Sequence, residues 1–192
     1  MKRTGIFGGS FNPIHNGHIN LAQNILNQGL ADEIWLMVTP HNPLKPIKEL
    51  LDEHVRLRMA RHAVHSIPGV EASDFEFSLP CPSYSWQTLR ELKNTFPERS
   101  FILIIGADNW KLFPKWKNSK DILMEYEIIV YPRPGYAIEK DELPDNVHLI
   151  EAPLFTWNSS QIRERLANGE DTTGMMPPEV VDIIKNNNYY KK

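Results

Sequence analysis

Residues 5–18 read GIFGGSFNPIHNGH. A short apolar run stops at Gly8 and Gly9, a proline follows at 13, and His15 and His18 stand three apart. The next segment, INLAQNILNQGL (19–30), places Ile19, Ala22, Ile25 and Leu26 on one helical face, with Gly29 as the stop. The spacing therefore predicts a buried strand, a glycine turn and an amphipathic helix, in that order. Glycines at a strand end permit a tight turn and let a ligand approach the backbone closely.

The same alternation continues outward. EIWLMV (33–38) reads as a second buried strand, and TPHNPLKP (39–46) as a loop, because Pro40, Pro43 and Pro46 exclude regular structure. A helix follows over about 52–65, with Leu51, Val55, Met59, Ala63 and Val64 on its apolar side. Arg56, Arg58 and Arg61 alternate with that side and read as surface charge. VEASDFEFS (70–78) reads as a strand with an exit loop, and SYSWQTLRELKNTF (83–96) as a helix with a serine cap. FILIIG (101–106), EIIVYP (127–132) and VHLIEA (147–152) read as further strands. SSQIRERLAN (159–168) and PPEVVDIIKNN (177–187) read as helices, and NNNYYKK as a helix end and tail. Strands alternating with helices predict an α/β fold with a doubly wound parallel sheet. We expect one domain over 1–192, with 157–192 as a small helical C-terminal part.

Composition narrows the class. The 21 basic and 24 acidic side chains leave a net charge of −3, which gives no general basis for nucleic-acid binding. The single cysteine, Cys81, cannot form an internal disulfide. No apolar run reaches the ~18 residues of a membrane span, and the N-terminus lacks the apolar core of a signal peptide. The expected location is the cytoplasm, with no membrane partner; homo-oligomerisation stays open.

In a doubly wound sheet, ligands bind at the carboxyl ends of the strands. Gly8 and Gly9 fall there, Asn16 or a neighbour caps the following helix, and the amides of that helix start suit a phosphate. His15 and His18 can both face the ligand and donate to phosphate oxygens. One histidine at a helix start is more often a cap or surface residue; a pair after a glycine turn favours a ligand. A metal site would need a third or fourth ligand, and no Cys or carboxylate cluster stands nearby. Neither G-x-x-x-x-G-K-[ST] nor G-x-G-x-x-G occurs in this turn.

GGSFNPIHNGH resembles the (H/T)-x-G-H signature of the nucleotidyltransferase superfamily with its preceding GG-[ST]-F-[DN]-P. The resemblance implies that Gly8, Gly9, Ser10, Phe11, His15 and His18 surround ATP, with both histidines on its phosphates. WNSSQIRERL (157–166) is similar to the second signature, I-S-S-T-x-I-R, and implies that Asn158, Ser159, Ser160 and Arg163 hold the triphosphate. Asparagine replaces the first serine and serine the threonine; both keep short hydrogen-bonding side chains at a helix start.

PSYSW (82–86), IIGADNWKLFPKW (104–116) and RPGY (133–136) resemble segments of the bacterial nicotinate mononucleotide adenylyltransferases. With the two signatures they span about Thr4 to Tyr189. The resemblance implies adenylyl transfer from ATP, with Mg2+ brought by ATP, to nicotinate mononucleotide, giving deamido-NAD and pyrophosphate. Trp116 would stack on the pyridine ring with Phe11 on its other side. Amides near Tyr84, Ser85 and Lys117 would hold the nicotinate carboxylate. Gly106, Asp108 and Arg133 would meet the adenosine side, Asp108 through a ribose hydroxyl. Lys45 would reach a phosphate. For Asp108 a helix cap, for Trp116 packing, and for Lys45 a solvated loop lysine are the competing readings. Rival functions are the same chemistry on nicotinamide mononucleotide or phosphopantetheine, and a non-catalytic nucleotide-binding regulator.

Overall fold

The computed structural model describes residues 1–40, 50–153 and 157–191. Strands β1 (Lys2–Gly9), β2 (Glu33–Val38), β3 (Val70–Ser73), β4 (Arg99–Gly106), β5 (Glu127–Tyr131) and β6 (Val147–Leu149) form one sheet. Their order is β3-β2-β1-β4-β5-β6, and every pairing is parallel. Parallel neighbours need crossovers, and helices supply them: α1 (Asn16–Asn27), α2 (Glu53–Val64), α3 (Ser85–Thr95), α4 (Ala107–Leu112), α5 (Ser119–Glu125), α6 (Ser159–Asn168) and α7 (Pro178–Asn187). The doubly wound α/β sheet expected from the alternation is present.

Side-chain alternation splits the interior into two layers. Phe7, Ile34, Leu36, Ile102, Ile104 and Ile129 face one side, where α1, α2, α6 and α7 contribute Ile25, Leu57, Ile162 and Ile184. Ile6, Trp35, Met37, Leu103 and Ile128 face the other, against Leu89 and Leu92 of α3 and Ile122 of α5. All six residues of β2 are buried, as a strand covered on both faces requires.

Four expectations change. Arg56 is fully buried, not surface charge. Its guanidinium donates to the carbonyls of Leu51 (2.8 Å), Ser10 (2.6 Å), Thr39 (2.9 Å) and Pro40 (3.1 Å). These carbonyls lie beyond the regular ladders, and five guanidinium donors can serve several at once. Arg58 and Arg61 are exposed as expected. No serine caps α3: Tyr84 is the N-cap, without a side-chain bond, and Ser83 Oγ is buried. The segment after β4 forms two short helices, α4 and α5, that the spacing did not predict; six and seven residues are too few to show a helical period. The final segment is more than a tail. Asn188 ends α7 in the left-handed conformation, and Tyr190 turns back to donate its hydroxyl to Asn12 Oδ1 at 2.7 Å.

The chain leaves β1 and β4, the two central neighbours, toward opposite faces of the sheet. The crevice beyond their carboxyl ends is the topological switch point, where doubly wound sheets take their ligands. Gly8 and Gly9 end β1 there, and Gly106 ends β4.

Candidate active site

The turn after β1 is tightly held. Gly9 O accepts from Thr39 N at 2.9 Å. Phe11 adopts φ 44°, a conformation uncommon for a bulky residue, and its ring is 2% exposed. That ring lies edge-on to Phe7 (centroids 5.8 Å) and to His18 (5.0 Å). It therefore packs beneath His18 and is not among the residues that line the cavity at Trp116 described below. A Cβ at Gly9 would lie 3.0 Å from the same ring, so any side chain there would press on Phe11.

His15 is the N-cap residue of α1, and its ring stacks on His18 with centroids 3.7 Å apart. His18 Nδ1 accepts from His15 N at 3.2 Å. With Nδ1 an acceptor, the proton of a neutral His18 sits on Nε2. Burial, then the positive charge of Arg133, push His15 down to about 3. At neutral pH His15 is an uncharged imidazole beside an arginine. A bound polyphosphate is anionic and would draw its proton affinity upward.

His15 and His18 line a small hollow with Phe7, Tyr131, Arg133 and Trp157. Arg133 Nη2 donates to the Tyr131 hydroxyl at 3.0 Å, and Nε lies 3.7 Å from Asp108 Oδ1. Asp108 stands in the first turn of α4 but makes no cap bond, since Gly106 is the N-cap. Of the two readings of Asp108, the helix cap is thereby excluded. A Cβ on Gly106 would strike the Asp108 carboxylate and lie 3.1 Å from Arg133 Nε, so this glycine makes room for the pair.

The start of α6 docks onto the first motif. Asn158 Oδ1 accepts from Gln161 N at 3.0 Å while Gln161 Oε1 accepts from Asn158 N at 2.9 Å, a reciprocal cap. Ser159 Oγ donates to Pro13 O at 3.0 Å. Arg163 donates to Asn12 O at 3.0 Å and to Ser160 Oγ at 3.3 Å. Ser159 and Arg163 of the second signature thus meet the loop of the first, although about 150 positions separate the two in sequence.

On the other side of the switch point lies a cavity of about 250 Å³. Tyr84, Ser85, Trp116 and Lys117, expected at the acceptor, all line it, together with Gly8, Gly9 and Gly106, which were expected around ATP. Trp116 leans on Phe113, centroids 5.6 Å apart, and Lys117 Nζ lies 4.7 Å over the Tyr84 ring. Lys45 lies outside the described residues. Thr39, Glu76, Ser83, Asn109 and Lys115 also line it and were not anticipated. Glu76 gave no signal, since an acid within DFEFS reads as the polar half of an alternation. Among the described residues no group of three or more His, Cys, Asp or Glu could hold a metal ion.

The profile of the Cytidylyltransferase-like family matches residues 6–165, and the chain belongs to this family. Among its relatives, a probable nicotinate-nucleotide adenylyltransferase of Bacteroides fragilis is 48% identical over 182 residues, covering 95% of this chain and 90% of the relative. A probable nicotinate-nucleotide adenylyltransferase of Flavobacterium johnsoniae is 41% identical over 192 residues, covering 99% of this chain and 100% of the relative. The structure of Plasmodium falciparum nicotinic acid mononucleotide adenylyltransferase complexed with NaAD superposes with a TM-score of 0.82, covering 99% of this chain and 98% of that one. At 23% identity that similarity is one of fold. Within the family it is the nicotinate-nucleotide adenylyltransferases that the chain resembles over nearly its whole length.

Proposed function

We propose that this protein transfers the adenylyl group of MgATP to nicotinate mononucleotide, giving deamido-NAD and pyrophosphate. The observation that carries the reading is the placement of the stacked His15–His18 pair at the switch point. On one side of it lies a hollow with Arg133 and Trp157, on the other a cavity reaching Trp116. The names of the relatives described above point to the same reaction. In this reading an oxygen of the acceptor phosphate attacks the α-phosphorus of ATP in line. The bond to the bridging oxygen of the β-phosphate breaks, and pyrophosphate leaves.

The chain's residues position the reactants and offset charge. His15, His18, Lys45 and Arg163, with the amides at Ser159 and Ser160, are assigned to the phosphates. Asp108 is assigned to a ribose hydroxyl and Arg133 to the adenosine side. Trp116 stacks on the pyridine ring, and the backbone around Tyr84, Ser85 and Lys117 holds its carboxylate. Magnesium enters as part of the substrate. Residues 1–192 act as one domain in which the 157–192 helices supply the second phosphate-binding segment. The reaction draws on cytoplasmic ATP; among the described residues no helix is long and apolar enough to cross a membrane.

The test is pyrophosphate release from MgATP by the purified protein, with nicotinate mononucleotide, nicotinamide mononucleotide or phosphopantetheine as acceptor. Strong release with the first and much less with the others is expected. Equal release with both pyridine nucleotides would keep the chemistry and remove the acid specificity. ATP binding without release on any acceptor would leave a nucleotide-binding regulator.

A further inference from the structure

Phe11 holds φ 44°, and a bulky residue keeps such a conformation only where its surroundings impose it. Those surroundings grip the turn on both sides of it. One residue before, Ser10 O accepts from the buried Arg56 at 2.6 Å. One residue after, Asn12 is 3% exposed, and its carbonyl accepts from Arg163 at 3.0 Å. Asn12 Oδ1 accepts from Leu51 N at 3.3 Å and from the Tyr190 hydroxyl at 2.7 Å. The turn so held presents the Phe11 ring edge-on to His18, centroids 5.0 Å apart.

The Tyr190 contact comes from beyond the end of α7, 178 positions away in sequence. Tyr190 itself has φ 63°, a second conformation that a bulky residue holds only with outside help. Its ring packs against the sheet layer that α1 and α2 cover. One short hydrogen bond thus joins two stretches of uncommon backbone. Burial pushes the phenol up, against the opposing charges of Arg163 and Arg56, so it stays protonated and donates. Tyr190 is not among the residues lining the hollow at Trp157 or the cavity at Trp116, so its route to the chemistry runs through the turn.

We propose that Tyr190 is a positioning residue for adenylyl transfer: its hydroxyl fixes Asn12, and through Asn12 the Phe11 turn that sets His18 in place. The inference rests on the adenylyl-transfer reading above. In that reading the chain acts by holding groups where charge develops, and a displacement of about 1 Å costs up to about 10²-fold in rate. A hydroxyl that touches no substrate can then matter to turnover more than to substrate binding.

The experiment measures kcat and the acceptor KM for pyrophosphate release with nicotinate mononucleotide, well below the melting temperature of every variant. Tyr190→Phe keeps the ring and its packing and removes only the hydroxyl. It is expected to lower kcat about tenfold and to leave the acceptor KM within about twofold, since neither Tyr190 nor Asn12 borders the cavity at Trp116. Ile184→Val, at a 2% exposed position of α7, is the control for loosened packing. It is expected to lower the melting temperature by a similar amount and to keep kcat within about twofold. In a His18→Ala background, Tyr190→Phe is expected to cost less than about twofold, because the group it positions is gone. An unchanged kcat in Tyr190→Phe overturns the proposal. An equal loss in Ile184→Val overturns it as well, by reducing Tyr190 to a stabilising residue. A loss undiminished in the His18→Ala background does the same, by removing His18 from the route. A wild type that releases no pyrophosphate overturns the adenylyl-transfer reading itself, and the proposal with it.

Discussion

His15 is buried, stacked on His18 at 3.7 Å, and held to about 3 by burial and by Arg133. An imidazole ordinarily titrates near 6.5. The folded state therefore favours the neutral ring, and this contribution is fully present above pH 6.5 and lost as pH falls toward 3. Over that window the melting temperature of ligand-free wild type is expected to drop faster than that of His15→Gln, whose side chain does not titrate. Parallel curves would show that His15 is hydrated before ATP arrives. His18 makes a different prediction. It is half-buried, so His18→Ala should leave the fold nearly as stable, yet lower turnover by about 10²–10³, the usual cost of one donor to developing charge. A near-normal rate of pyrophosphate release in that variant would remove His18 from the mechanism.

Elements in this fold are joined at their ends as well as across their faces. Arg56 lies on α2, yet its donors serve the turn after β1, the end of β2 and the entry to α2 itself. Replacing it with methionine keeps the volume and leaves four carbonyls without their donor. Urea unfolding of Arg56→Met should show a loss of about 3–5 kcal/mol, the range for breaking a buried charged network. Arg61 sits on the same helix, where it and its partner Asp74 are both about half exposed. Arg61→Ala should cost about 0–1 kcal/mol. The two arginines look alike in sequence, because helical spacing puts each beside the apolar face. What separates them is the set of orphan carbonyls that tertiary contact brings over the start of α2.

At the scale of the whole molecule, the two termini of the chain converge on one residue. Asn12 accepts from Leu51 N at 3.3 Å and from the Tyr190 hydroxyl at 2.7 Å, and its carbonyl accepts from Arg163. Burial pushes the Tyr190 phenol up, so it stays a donor throughout the accessible pH range. Tyr190→Phe removes one hydrogen bond and should cost about 1 kcal/mol. Calorimetry should register that as a fall in melting temperature of about 2–4 °C. An unchanged melting temperature would mean that water replaces the phenol at Asn12.

The strand–helix alternation, the parallel sheet and the positions of both signature motifs were legible in the sequence alone. Each rests on local signals: long apolar runs such as FILIIG, glycines at strand ends, and short polar caps such as Asn158. A buried parallel strand must be apolar on both faces, and a helix start must satisfy its own amides, whatever else the chain does. Only the tertiary structure decided that Arg56 is interior, that the Phe11 ring packs beneath His18, and that Glu76 borders the cavity at Trp116. Nothing near these residues in sequence announces those roles. Their surroundings come from segments tens of residues away, and burial, not residue type, determines what a charge or a ring can do.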